Sequence, residues 1–342
     1  MLCAPACATT DPNYNYEGFP LTTVESGIVQ GDVYVSCGDH AGLTGTSYAT
    51  NTFITNFTNV PTSGVKYAEL KVGVWGGSPA RVGYAETKLN GTTLSTETLD
   101  ITDLSNNVEC SGSGVYLIHY NCTSQVQNLT SGTIEANVTA WPELGLGSTR
   151  RLDSRIYGAV LIVVYENGTS YTQYWINQGD LNLHKNVTAT IDNTSRSFSD
   201  FDANLTQFNG AVNGSVGGNA TLTVGYFAGD DDQNDYLYFN PPQTTGSPYY
   251  TNNFNWDLDE VWGQKLDGNN VANETCALGS TTNFDLHTFG VTANSSSNYA
   301  VFWRGHGNNT DESEIYDPAW PNVNPNTESY VSPFLAVLKI KP

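Results

Sequence analysis

The run Tyr157-Gly-Ala-Val-Leu-Ile-Val-Val-Tyr165 is apolar at almost every position. Successive side chains of a β-strand point to opposite faces, so this segment is apolar on both faces. Such a strand must be covered on each side, as in the centre of a sandwich. Glu-Asn-Gly-Thr-Ser follows, and then Tyr171-Thr-Gln-Tyr-Trp-Ile176. Asn167-Gly168 suits a two-residue turn, whose central positions both need positive φ, so the two runs are predicted to form a hairpin.

Further strands are predicted at Gly31–Ser36, Ala68–Val74, Val115–Tyr120, Thr133–Thr139, Ala220–Tyr226, Tyr299–Trp303 and Phe334–Ile340. Turn residues separate them, and no stretch sustains a helical period. With 40 Thr, 36 Asn, 33 Gly and 20 Tyr, the composition favours pleated surfaces and turns. The fold class is therefore all-β. Ala68-Glu-Leu-Lys-Val-Gly-Val-Trp-Gly-Gly77 parallels Ala220-Thr-Leu-Thr-Val-Gly-Tyr-Phe-Ala-Gly229, identical at five of ten positions. His119 and His287 fall at matching places, and Ala159-Val-Leu161 matches Ala336-Val-Leu338. Repetition at this scale predicts two tandem antiparallel, jelly-roll-like β-sandwich modules at 21–182 and 183–342, after an N-terminal tail at 1–20.

The formal charge is −21. That excludes a nucleic-acid binder held by phosphate contacts and polybasic docking onto anionic lipid. The longest apolar run, 159–165, is too short for a helix to span a membrane. Sequons of the form Asn-X-Ser/Thr stand at Asn56, Asn90, Asn121, Asn128, Asn137, Asn167, Asn186, Asn193, Asn204, Asn213, Asn219, Asn273, Asn294 and Asn308. Chance would give roughly half as many, which points to a secreted glycoprotein. Ala6-Cys7-Ala8 has the small-X-small pattern that ends a signal peptide.

Six cysteines at scattered spacing suit disulfides in an oxidising space. Cys110 and Cys122 are close enough in sequence to staple one hairpin. Cys37 and Cys276 would then be a long-range pair, or each would bond another chain. Cys3 and Cys7 are candidates for intermolecular bridges, and the sequence does not choose among the connectivities.

Trp75-Gly-Gly77, Arg155-Ile-Tyr-Gly-Ala-Val-Leu-Ile-Val-Val-Tyr165, Tyr174-Trp-Ile-Asn-Gln-Gly179 and the closing Phe334-Leu-Ala-Val-Leu338 together resemble a domain family of secreted surface proteins from methanogenic archaea. The resemblance runs from about residue 20 to the C-terminus, and residues 155–179 are its specific part. It implies a component of a surface layer or sheath and carries over no catalytic residues. Sheaths of that group are cysteine-linked, which would fit Cys3, Cys7 and Cys37.

No zinc-protease, serine-hydrolase, P-loop or dinucleotide motif is present. The five histidines are scattered, and His306 sits in the Gly-rich stretch Arg304-Gly-His-Gly-Asn. No carboxylate pair stands out for glycoside hydrolysis; Glu143 beside Trp141-Pro142 and Glu260 near Trp262 are the nearest candidates. The best ligand signal is Gly229-Asp-Asp-Asp-Gln-Asn-Asp235. Asp230, Asp232 and Asn234 alternate there, with Asp231 and Asp235 beside them, as oxygen donors for a structural Ca²⁺. Trp141, Trp256, Trp262, Trp303 and Trp320 could stack on sugars or anchor protein contacts. The expectation is a non-enzymatic, self-assembling protein of the archaeal cell surface, with copies of itself as partner. The alternative is an adhesin for cell-surface glycans on the same fold, and a sugar-active enzyme ranks third.

Overall fold

The computed structural model describes residues 9–11, 14–184, 187–191, 194–198, 203–213, 219–228, 236–240, 264–267, 283–303 and 330–341. The fold is all-β with antiparallel sheets, and each strand expected from the sequence lies within an observed one.

In the first half, β3 (Asn51–Thr58), β9 (Thr133–Pro142), β5 (Gly83–Leu89) and β6 (Thr92–Leu99) form an outer sheet in that order. Burial alternates strictly along β3, so Phe53, Thr55 and Phe57 point inward while Thr52, Ile54 and Thr58 face out. Asn90-Gly91 closes the β5–β6 hairpin with φ of 47° and 74° at its two residues. That is the left-handed pair a tight hairpin requires.

The inner sheet carries β7 (Val108–Cys110), β8 (Val115–Asn121), β4 (Val65–Trp75) and β10 (Arg155–His184), then β19 (Tyr330–Lys341), β14 (Asn219–Phe227) and β17 (Phe284–Val291). β2 (Tyr14–Ser36) follows β10 along its other edge, and β1 (Thr9–Asp11) pairs with the start of β2. A second outer sheet has the order β13 (Ala203–Ala211), β18 (Ser296–Trp303), β15 (Tyr236–Phe239), β16 (Gln264–Asp267). β11 (Val187–Ile191) and β12 (Thr194–Phe198) pair with each other, and α1 (Thr123–Gln127) follows β8.

The expected hairpin at Asn167-Gly168 does not form. β10 runs on through it, with Glu166 opposite Gly31 and Tyr171 opposite Gln30 of β2. Residues 167–170 are an insertion opposite a single step of β2, so a bulge takes the place of a turn. The Asn-Gly signal is local, whereas the ladder to β2 satisfies backbone groups on both sides of the insertion and decides the outcome.

β2 and β10 serve both halves. Residues 155–165 of β10 pair with β4, and residues 173–184 pair with β19 on the same edge. This ribbon doubles over. Lys71 of β4 lies opposite Val160, and Gln178 is eighteen residues further along β10. That is about 60 Å of extended strand, yet the Lys71 and Gln178 side chains are hydrogen-bonded. The bend coincides with register shifts in the β2–β10 ladder, the usual way a strand passes from one packed sheet to another.

Among the described residues, four layers and three cores result. Phe53, Phe57, Leu70, Ile118, Leu161 and Val163 fill the first. Trp175, Leu181, Phe208, Leu222, Phe302 and Leu338 fill the third. The middle core joins Leu117, Tyr157 and Ile162 of one half to Phe227, Phe334 and Val337 of the other. Phe227 stacks on Tyr157 at 5.3 Å and on Phe334 at 4.0 Å. A Cβ on Gly73 would stand 2.3 Å from Phe227, so glycine is what lets β4 approach β14 this closely.

Candidate functional site

One part of the middle layer is polar. The β4 residues on its inner face are Glu69, Lys71 and Gly73, because Leu70, Val72 and Val74 point into the first core. Lys71 is buried, and its Nζ lies 2.8 Å from Glu69 Oε2. Tyr67 OH donates to the same oxygen at 2.9 Å, and His119 Nδ1 of β8 is 3.6 Å from Glu69 Oε1. Lys71 Nζ also donates to Gln178 Oε1 of β10. Gln178 Nε2 in turn donates to Glu109 Oε1 of β7 at 3.3 Å. Beside it, Asp180 Oδ2 accepts from the Ser111 N–H at 3.0 Å. Glu109 Oε2 and Asp180 Oδ1 are buried and accept no hydrogen bond among the described residues.

Burial sets the electrostatics. It pushes the Glu109 carboxyl up, against the opposing effect of the Gln178 hydrogen bond and the Lys71 charge. It pushes Asp180 well above the ordinary carboxylate range, and the Glu109 charge adds to that. His119 is lowered by burial and then by Lys71, which keeps its imidazole neutral near pH 7. The array therefore sets the buried Lys71 side chain against a carboxamide, with the Glu69 carboxyl on Lys71 and the Glu109 carboxyl on the amide. Among the described residues, no group of three His, Cys, Asp or Glu side chains is placed to hold a metal ion.

Of these residues the sequence singles out only His119, as one of two histidines at matching places in the repeat. The available signal was Glu69-Leu-Lys71. Two opposite charges on one face of an otherwise apolar strand cannot both face a core unless they pair there.

The expected Cys110–Cys122 staple is corrected: both residues are buried thiols. Cys110 pairs with Tyr116 in the β7–β8 hairpin, and Cys122 lies past the far end of β8. Six residues of strand separate Tyr116 from Cys122, about 20 Å, while a disulfide needs Cα atoms about 4.4–6.8 Å apart. Cys37 is disulfide-bonded. Cys3, Cys7 and Cys276 lie outside the described residues, as do Asp230, Asp231, Asp232, Asn234 and Asp235 of the expected calcium loop.

Among the sequons, Asn90, Asn121, Asn128, Asn167, Asn213 and Asn294 are exposed, and Asn56 and Asn137 are half-buried on the outer face of the first outer sheet. Asn204 is buried at 2 % exposure, which leaves no room for a glycan and corrects that expectation. The side chain of Asn219 and the whole of Asn186, Asn193, Asn273 and Asn308 lie outside what is described. Glu143 is held by the Tyr84 hydroxyl at 2.6 Å, and Tyr84 packs on Trp141 at 5.7 Å. His40 stacks on Phe53 and His287 lies against Phe289. Glu260, Trp256, Trp262, Trp320 and His306 are outside the described residues.

A family model described as a protein of unknown function, DUF3344, matches residues 14–341. The chain belongs to the DUF3344 family. The match takes in every strand from β2 to β19, so the doubled ribbon and its polar array are part of the DUF3344 region. No curated protein matches the chain. Among solved structures, the DUF3344 chain is similar to the ANX2 ectodomain from Arabidopsis thaliana at 9 % identity, with a TM-score of 0.25, covering 94 % of this chain and 90 % of that one. The major capsid protein P2 of bacteriophage PM2 gives 9 % identity and a TM-score of 0.22, covering 91 % and 98 %. A calcium binding mutant of Bacteroides uniformis beta-glucuronidase 2 gives 11 % and 0.23, covering 83 % of this chain and 28 % of that one. At such TM-scores these likenesses carry no argument. Among the described residues no helix is long and apolar enough to cross a membrane.

Proposed function

We propose that this DUF3344 protein is a non-enzymatic structural component of an extracellular archaeal surface, a layer or sheath, that assembles with copies of itself. The observation that carries the reading is the outer edge of β2. Beyond Tyr16, no described strand pairs with that edge, although the strand is 23 residues long. Val24 and Ile28 on it are 43 % and 47 % exposed, and Tyr171 beside it on β10 is 49 % exposed. An open strand edge with apolar side chains is a template for pairing with another chain. The disulfide at Cys37 and the exposed sequons support an oxidising, extracellular setting.

At a charge of −21 the copies repel one another, so divalent cations such as Ca²⁺ would promote assembly. Light scattering of the full chain, with Ca²⁺ and with chelator, tests the reading. The wild type should grow into large particles in Ca²⁺. Val24→Lys with Ile28→Lys should stay monomeric with unchanged circular dichroism. A wild type that stays monomeric at all concentrations in Ca²⁺ removes the proposal.

A second reading, a glycan-binding adhesin, is favoured by the half-buried Tyr84–Trp141 pair with Glu143 on the outer sheet. Glycan-array binding abolished by Trp141→Ala would establish it over the first.

A further inference from the structure

We propose that Lys71 and Gln178 are joined by an intramolecular isopeptide bond, formed autocatalytically with Glu69 and Glu109 as the catalytic acid–base pair. The inference stands apart from the assembly reading and concerns a covalent modification site inside the fold.

The geometry is that of a reaction about to occur. Lys71 Nζ contacts Gln178 Oε1. A carboxamide C=O bond is about 1.2 Å long, so a hydrogen-bonding contact to Oε1 sets Nζ roughly 3–3.5 Å from Cδ. That is the separation of reacting atoms in a near-attack arrangement. Both side chains are buried, and they come from opposed strands of the doubled ribbon, so neither can drift away. A carboxyl touches each reacting nitrogen. Glu69 Oε2 is 2.8 Å from Nζ, and Glu109 Oε1 is 3.3 Å from Nε2.

The step balances without any co-reactant. Glu69 takes one proton from the Lys71 ammonium, and the freed amine adds to Gln178 Cδ. Glu109, in its acid form, gives its proton to Nε2 and takes the second proton from Nζ. The Nζ–Cδ amide bond forms and the Cδ–Nε2 bond breaks. Ammonia leaves, collects the proton held by Glu69 and departs as ammonium, so both carboxyls return to their starting states. Burial pushes the Glu109 carboxyl up, the direction that favours the acid form used in this role. Glu69 lies against Lys71, Tyr67 and His119, with Oε2 the carboxyl oxygen in contact with Nζ and so placed to take the first proton. Asp180 on β10 lies beside the pair, accepting a hydrogen bond from Ser111 N, and burial pushes its carboxyl well above the ordinary range.

The product would close a loop between positions 107 residues apart and tie β4 to the returning arm of β10. The test is peptide mapping of the full wild-type chain by mass spectrometry after reduction. The expected result is one branched peptide holding both Lys71 and Gln178, lighter by one ammonia than the two linear peptides, with no protease cleavage after Lys71. In a denaturing, reducing gel the wild type should run ahead of Glu109→Gln, whose map should show the two linear peptides. Lys71→Arg, which retains the positive charge but lacks the amine, should also run at the unlinked position. Recovery of cleaved Lys71 and intact Gln178 from the wild type overturns the bond. A branched peptide in Glu109→Gln at wild-type yield overturns the role given to Glu109.

Discussion

The doubling of the β2–β10 ribbon is open to test at Gly73. In the native packing a Cβ added there would lie 2.3, 2.5 and 2.9 Å from three atoms of the Phe227 ring. Carbon atoms settle at about 3.5–4.0 Å, so the ring would have to retreat by more than about 1 Å. It has nowhere to go: Phe334 is stacked behind it at 4.0 Å with planes 8° apart, and Phe334 is itself pressed against Gly225. Overpacking of this kind costs about 1–3 kcal/mol. Removing a glycine from the unfolded chain returns about 0.4–1 kcal/mol. Gly73→Ala should therefore destabilise the protein by about 1–2 kcal/mol net. Urea unfolding followed by tryptophan fluorescence would measure it, in the wild type and in Phe227→Ala. The second substitution alone should cost about 3–5 kcal/mol. In that background the new methyl enters the vacated space, so the cost of Gly73→Ala should vanish, a coupling of about 1–2 kcal/mol. Equal cost in both backgrounds, or a shift under about 0.5 kcal/mol in the first, would refute the close approach of β4 to β14 and the doubled ribbon with it.

Three other outcomes follow from buried or paired groups. The folded pKa of Asp180 lies above its unfolded value, so folding favours the neutral acid in acid solution and that contribution is lost as pH rises through the folded pKa; Asp180→Asn should match the wild type near pH 4 and unfold at higher urea than it at pH 8, and a loss of stability at pH 8 would count against this. Burial raises the Asp32 carboxyl, but the hydrogen bond from Lys341 and the Lys339 charge outweigh it and hold the group below its ordinary value; its contribution is present above the unfolded pKa and lost in acid, so Asp32→Asn should cost about 1 kcal/mol at pH 7 and nothing at pH 2, checked by paired melts. Burial, with Glu69 nearby, pushes the Cys122 thiol up to about 12; alkylation at pH 8 should label Cys122 only after denaturation, and labelling of the native protein would place the thiol elsewhere.

The all-β class and the strands were legible because alternation is a local signal. β3 and β9 each alternate inward and outward without a break, and β10 announces its two covered faces by a continuous apolar run. Gly73 and Gly225, at matching places in the two sequence segments, each make room for an aromatic ring, Phe227 and Phe334. What local signals could not distinguish was which Asn-Gly turns the chain. Asn90-Gly91 does, and Asn167-Gly168 does not, because β2 offers residues on both sides of the second pair a ladder to continue. The polar array was illegible for a related reason. Lys71, Glu109 and Gln178 come from three strands, and only the fold brings them to one point. The cysteines misled because closeness in sequence does not fix strand register, and register puts Tyr116, not Cys122, opposite Cys110.

The ladder between β2 and β10 also fixes a schedule for folding. Ser36 pairs with Leu161 and Glu17 with Asn182, so β2 must wait until more than a hundred later residues have been made. At about 5–20 residues per second that wait lasts on the order of 6–25 s, and β19 arrives later still. Through that interval β2 lacks its long partner and, past its pairing with β1, has neither edge satisfied, the kind of strand most prone to pair with the wrong chain. Contacts this distant in sequence also make folding slow once synthesis ends. The step that commits the protein to its fold is then the late docking of β10 along a strand made more than a hundred residues earlier.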